Sequence, residues 1–229
     1  MIDAVRGAAI CLMIVYHFAF DLNLPWVGVL HTDFNNHVGW LAFRAVIVSA
    51  FLLTVGISLR LACEARVAPV RVWTRLVRVG LCAALVTVGS YLMFPRTFIT
   101  FGILHCIVVC SLIAWPMAAR PKLALALGVA AIAAGSLLRL PLFDSPALQW
   151  LGMMTHKPAT EDYVPLLPWL GVVLLGIALA ARLRLRQQPA LVSTATTPAW
   201  ARFLGRHSLL VYMVHQPLLL GALWLGFGR

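Results

Sequence analysis

Charge is scarce in this chain: seven Asp and Glu stand against eighteen Lys and Arg, and charged residues of both signs make up 11% of 229 residues. Soluble domains carry about 25%, so a water-facing surface of ordinary composition is excluded. The five cysteines form neither a disulfide framework nor a zinc spacing. Cys11, Cys82, Cys106 and Cys110 lie inside apolar runs and only Cys63 lies outside them, which reads as small buried thiols and no metal site. No basic run is interleaved with aromatics on a polar segment, so the net charge of +11 does not point to nucleic acid. An internal repeat is also missing, which counts against an inverted-repeat transporter.

What is abundant is apolar surface, 62% of residues with a mean hydropathy of +0.93. Such an excess is buried only if lipid replaces water as the solvent. The expected class is therefore an all-α integral membrane protein. A span needs roughly 20 apolar residues, so the length allows seven or eight at most. Unbroken apolar stretches predict helices near 4–22, 40–60, 76–94, 98–117, 122–140, 164–181 and 207–226. The first lacks the basic leader and small-residue cleavage site of a signal peptide and carries Arg6, His17 and Asp21, so it is expected to stay.

With the N-terminus inside, the inner segments hold Arg6; Arg60, Arg66, Arg71, Arg75 and Arg78; Arg120 and Lys122; Arg182, Arg184, Arg186, Arg202 and Arg206. The outer side keeps Arg44, Arg96, Arg139, Lys157 and Arg229 together with Asp21, Asp33, Asp144, Glu161 and Asp162. The positive-inside rule then gives seven helices, N-in and C-out, forming a single transmembrane domain over 1–229. Residues 187–198 (QQPALVSTATTP) read as a flexible cytoplasmic linker within it. Pro95, Pro168 and Pro217 read as shaping the spans, and most of the eight tryptophans as interface anchors.

An ionisable group inside a span costs about 2.5–3.5 kcal/mol at the helix centre on insertion scales, so each needs a partner or a task. Arg6 and His17 are eleven residues apart, about three turns and roughly 16 Å on nearly one face. His17 and Asp21 stand at i and i+4, where the carboxylate can orient one ring nitrogen and leave the other as a base. Acyl transfer needs such a base, because an acceptor amine or hydroxyl loses its proton as it attacks a thioester. The same pair reads equally as an interhelical hydrogen-bond site. His105, Asp162, His215 and Gln216 would lie at similar depth, and the first outer loop adds His31, Asp33, Asn35, Asn36 and His37, just before Trp40. The basic stretch RVAPVRVWTRLVR, read as an inner loop, either anchors on anionic lipid or grips the phosphates of a nucleotide-bearing cofactor. Two other classes fit histidines in so apolar a chain: a proton-coupled transporter of a small solute, and a haem-binding membrane protein.

Five segments, IDAVRGAAICLMIVYHFAFDL, AFLLTVGISL, FGILHCI, DYVPLLPWLGVVLLG and LGRHSLLVYMVHQP, resemble in order and spacing the bacterial DUF1624 proteins. These are relatives of the catalytic domain of heparan-alpha-glucosaminide N-acetyltransferase, in the wider transmembrane acyltransferase group that includes the family-three and YeiB-like proteins. The resemblance runs over nearly the whole chain. It implies a helix bundle in a bacterial inner membrane, in contact with the lipid bilayer and possible as a homodimer, that moves an acetyl group from cytoplasmic acetyl-CoA to an amino sugar or glycan outside. By resemblance to the lysosomal members, whose proposed active histidine lies in a His-x-x-Trp segment, His37-Val38-Gly39-Trp40 makes His37 a catalytic candidate. By resemblance to the family-three enzymes, the Arg6 and His17 spacing makes His17 another, and at that position the lysosomal members carry asparagine. In the mechanism this implies, Arg71, Arg75 and Arg78, with Arg6, hold the donor, and Asp21 orients the base. Asn36, His105 and His215 are candidate oxyanion donors, Asp162 and Gln216 candidate contacts to acceptor hydroxyls, and Trp40 a further acceptor contact.

Overall fold

The computed structural model describes residues 1–187 and 197–228. Among them the chain is all-α: α1 (Ile2–Asp21), α2 (Val38–Glu64), α3 (Pro69–Met93), α4 (Ile103–Ala114) with a 3-10 turn (Trp115–Ala119), α5 (Pro121–Leu137), α6 (Leu166–Arg182), α7 (Ala199–Arg206) and α8 (Ser208–Phe227). Four of these, α1, α2, α3 and α8, are long and apolar enough to cross a membrane. Ile103–Ala119, α5 and α6 are shorter apolar helices; at 17 residues α5 and α6 rise about 25 Å, at the lower limit for a span.

Prolines set several of the boundaries. Pro69 and Pro121 open α3 and α5 at the first helical position, where a missing N–H costs nothing. α3 stops at Met93 because Phe94 precedes Pro95 and is held out of the helical region at φ −133°. Pro217 lies inside α8 and deprives the Met213 carbonyl of its helical donor.

The chain packs as two units. The first comprises Met1–Phe51 and the chain from Leu191 onward. Its core gathers Ile10, Met13, Tyr16, Phe34 and Ile47, with Trp40, Phe43, Val211 and Tyr212 against it. α7 lies along the start of α1, where Gly205 meets the Asp3 backbone and Gly7 meets the Ala201 backbone so closely that a Cβ at either glycine would collide. The second unit is Leu52–Ala190. Here α6 is the central helix, with Gly56 of α2 against its Val173 and Gly176, and Gly128 of α5 against its Gly171. Small residues let apolar helices approach where lipid offers no hydrophobic drive to associate. Outward, α3 shows Val70, Trp73, Val77, Leu81, Leu85, Val88 and Leu92, a continuous apolar face suited to hydrocarbon.

Two helix starts and one additional helix set the fold apart from the sequence reading, and α2 runs on to Glu64, four residues past its predicted end. α3 begins at Pro69, seven residues before the predicted start, so Arg71 and Arg75 stand on helix rather than in an inner loop. α4 begins at Ile103 rather than 98, because Thr97–Phe101 is tied outside the helix to Thr160–Val164: Glu161 N–H donates to Thr97 O at 2.9 Å, and Val164 N–H to Phe101 O at 3.2 Å. α7, which had no predicted counterpart, fills the stretch before the last span. Of the expected linker, residues 188–196 lie outside the described residues, as does Arg229.

Candidate functional site

In the first unit the late turns of α1 meet the middle of α8. Asp21 is 1% exposed, and its Oδ1 accepts a hydrogen bond from Gln216 Nε2 at 2.9 Å. One turn earlier on α1, the His17 ring meets the His215 ring edge-on, with centroids 4.9 Å apart. Two neighbours on one helix thus face two residues four apart on the other.

Backbone carbonyls fix both imidazoles. His17 Nδ1 lies 2.9 Å from Met13 O, and His215 Nδ1 lies 2.6 Å from Tyr212 O. A carbonyl only accepts, so each Nδ1 carries the hydrogen and each neutral ring keeps its basic lone pair on Nε2. Two rings in edge contact at this distance cannot sandwich a haem. Tyr16, which the sequence reading did not single out, is the hub of the adjoining wall: its ring packs edge-on against His17, Phe34, Trp40 and Phe43, with centroids 5.7–5.9 Å away. Its place beside His17 in the sequence was the available signal.

The outer loop is organised by Asp33. Its Oδ1 accepts from the Asn35 and Asn36 backbone N–H groups at 2.9 and 3.1 Å, and its Oδ2 from Asn36 Nδ2 at 2.7 Å. These bonds, the Asn36 amide first, hold the Asp33 carboxyl below its ordinary range. His37 is exposed immediately before α2, with its N–H on Asp33 O at 2.9 Å; Trp40, one turn into α2, stacks on Phe34 at 4.4 Å. At the other end of α1, Arg6 Nη1 and Arg206 Nε lie 3.3 and 3.7 Å from the two carboxylate oxygens of Asp3.

The second unit holds the remaining candidates. Asp162 Oδ2 accepts from Ile103 N–H at 3.0 Å, placing a negative charge at the start of α4. His105, in the first turn of that helix, takes the Gly102 N–H on Nδ1 at 3.3 Å and lies 3.2 Å from Thr87 Oγ1 through Nε2. Thr87 gives its own hydrogen to Ile99 O at 2.8 Å, so the His105 Nε2–H is the donor in that contact. Both ring nitrogens of His105 are therefore engaged in holding the start of α4. Nearby, Tyr163 donates to Gln149 O at 2.5 Å, and burial raises its phenol above its ordinary range. Asp144 accepts from Thr155 Oγ1 and N–H at 2.7 and 2.8 Å, which hold its carboxyl low.

Arg71, Arg75 and Arg78 recur at i, i+4 and i+7, one face of α3, and all three are exposed. Three guanidinium groups about one turn apart suit several phosphates. Among the described residues no three His, Cys, Asp or Glu side chains converge as metal ligands.

A family model, heparan-alpha-glucosaminide N-acetyltransferase, catalytic, matches residues 1–217. No curated protein and no solved structure matches the chain with significance.

Proposed function

This chain belongs to the family of the heparan-alpha-glucosaminide N-acetyltransferase catalytic domain, and from that membership we propose that it is a multi-pass acetyltransferase of a bacterial inner membrane, drawing on cytoplasmic acetyl-CoA to acetylate an amino sugar or glycan on the outer side. The observation that carries the reading is the pairing of His17 with His215 beside the buried Asp21–Gln216 bond. An acceptor amine or hydroxyl gives its proton to an imidazole Nε2 as its lone pair attacks the thioester carbonyl carbon; the C–S bond breaks, and the coenzyme A thiolate leaves and takes up a proton. Asp21 favours the imidazolium that forms, and Gln216 keeps the carboxylate in place. The fixed Nδ1–H tautomers support His17 and His215 as the bases; His37, exposed at the head of α2, is left to meet the acceptor, with Trp40 beside it. Asn36, His105 and Asp162 serve as framework.

On this reading Arg71, Arg75 and Arg78 hold the donor phosphates from the inside. Arg6, tied to Asp3, contributes charge on the same side. The distribution of Lys and Arg supports seven spans, N-in and C-out, with α4, α5 and α6 as the short ones. A homodimer is compatible with the broad apolar face of α3.

The test is release of free thiol from acetyl-CoA by the purified protein given glucosamine-bearing acceptors. Release is expected from the unaltered protein and is lowered about 10²–10⁴-fold in His17→Ala, the range of general-base catalysis. Full release from both His17→Ala and His215→Gln would refute the assignment of the base.

A further inference from the structure

α7 is eight residues long, and its two faces differ in kind. Ala201 and Gly205 are buried against α1, whereas Trp200 and Phe203 are 57% and 61% exposed and Arg206 follows on the same outward stripe. The phase is helical: positions 200, 203 and 206 recur every three residues, so one side of the helix presents two aromatic rings and then a guanidinium. His207, just past the helix, packs its ring on Phe203 at 4.7 Å between centroids.

The pairing with α1 sets the direction. Gly205 meets Asp3 and Ala201 meets Gly7, so α7 runs antiparallel to the first two turns of α1. Arg206 therefore lies level with the first residues of α1, and Trp200 lies six residues, roughly 9 Å, farther along it. At this end of α1 one carboxylate, Asp3, faces two guanidinium groups, Arg6 and Arg206, and the Arg206 side chain is 63% exposed. A cationic rim thus sits above an exposed aromatic strip.

We propose that α7 and the start of α1 form a seat for an anionic phospholipid, with its phosphate on the Arg206–Arg6 rim and its acyl chains along Phe203 and Trp200. A soluble phosphate would use the rim and leave the aromatic strip in water. A zwitterionic lipid would use the strip and bring no net charge to a rim on which arginines outnumber carboxylates. Only a ligand with an anionic head and an apolar body uses both. The proposal stands whether or not the chain transfers acetyl groups.

The experiment uses the full chain in nanodiscs of phosphatidylcholine, into which brominated phosphatidylglycerol or brominated phosphatidylcholine is titrated while tryptophan fluorescence is followed. Stronger quenching by phosphatidylglycerol is expected in the unaltered protein. The excess should be lost in Trp200→Phe, which removes the reporting ring while keeping an aromatic. Arg206→Gln should weaken apparent phosphatidylglycerol affinity about fivefold, the effect of one basic residue at an anionic surface, and Arg206→Lys should retain it. Arg71→Gln, on another helix, should leave the excess unchanged. Equal quenching by the two lipids, an excess that survives Trp200→Phe, or an equal loss in Arg71→Gln would overturn the proposal. Circular dichroism of each variant separates a lost seat from a lost fold.

Discussion

Gln216 donates from Nε2 to the buried Asp21 carboxylate at 2.9 Å and so joins the last helix to the first across 195 positions of sequence. The bond has a neutral donor and an ionisable acceptor, a combination worth about 1.5–3 kcal/mol when the acceptor is charged. Gln216→Leu should lower the detergent-solubilised protein's stability by that amount. Gln216→Glu should cost more, because it sets a second carboxylate against Asp21 in a site closed to water. Thermal unfolding of the two variants measures the order.

The twin imidazoles predict a kinetic asymmetry. If His17 Nε2 removes the acceptor proton, His17→Ala lowers kcat with little change in the acetyl-CoA KM, while Arg75→Gln raises that KM and leaves kcat nearly intact. Steady-state kinetics of thiol release separates the two patterns.

Glycines on packed and open faces should respond oppositely. A Cβ at Gly56 would strike the Val173 backbone, whereas one at Gly89 of α3 meets nothing within 4 Å. Gly56→Ala is expected to destabilise by about 1–3 kcal/mol, the usual range for forced repacking. Gly89→Ala should be neutral or stabilise by up to about 1 kcal/mol through helix propensity. Parallel melts check both signs.

Asp162 and His105 frame the start of α4, and Thr87 completes the frame. Asp162→Ala removes the acceptor for Ile103 N–H and should cost about 0.5–2 kcal/mol, the range for a lost helix cap. Asp162→Asn keeps an oxygen there and should cost less. A loss of acceptor affinity in Asp162→Asn beyond its loss of stability would assign Asp162 to the substrate as well.

The Asp144 carboxyl is held low chiefly by the Thr155 hydroxyl, then by the Thr155 backbone N–H. A carboxyl whose folded pKa lies below its unfolded value stabilises the loop above the ordinary carboxylate range. That contribution fades as pH falls through the lowered value. Thr155→Val should move the Asp144 titration upward, towards the ordinary value, as followed by carboxyl carbon NMR.

Helices were readable from the sequence where one local rule sufficed. Each of the seven predicted apolar stretches contains a helix, and Pro69 and Pro121 mark starts by their own chemistry. Boundaries set by distant partners were not readable. Nothing near Phe98 in the sequence says that Thr160 will donate to its carbonyl at 2.8 Å and that the chain will stay non-helical there until Ile103. α7 was hidden for another reason. Its eight residues hold two arginines and two glycine or alanine contacts whose purpose appears only against Asp3 and Gly7.

The sequence by itself determined the solvent, the helical class and the identities of the polar side chains, because hydropathy, backbone satisfaction in lipid and proline geometry act within a turn or two of the chain. Tertiary structure alone decided which of those side chains meet. His17 and Asp21 pointed to each other as i and i+4 neighbours; the fold gives His17 Nδ1 to Met13 O, sets His215 against its ring, and brings Gln216 to Asp21. A choice among buried polar partners is made by helix approach and burial, and these depend on contacts between residues far apart in sequence.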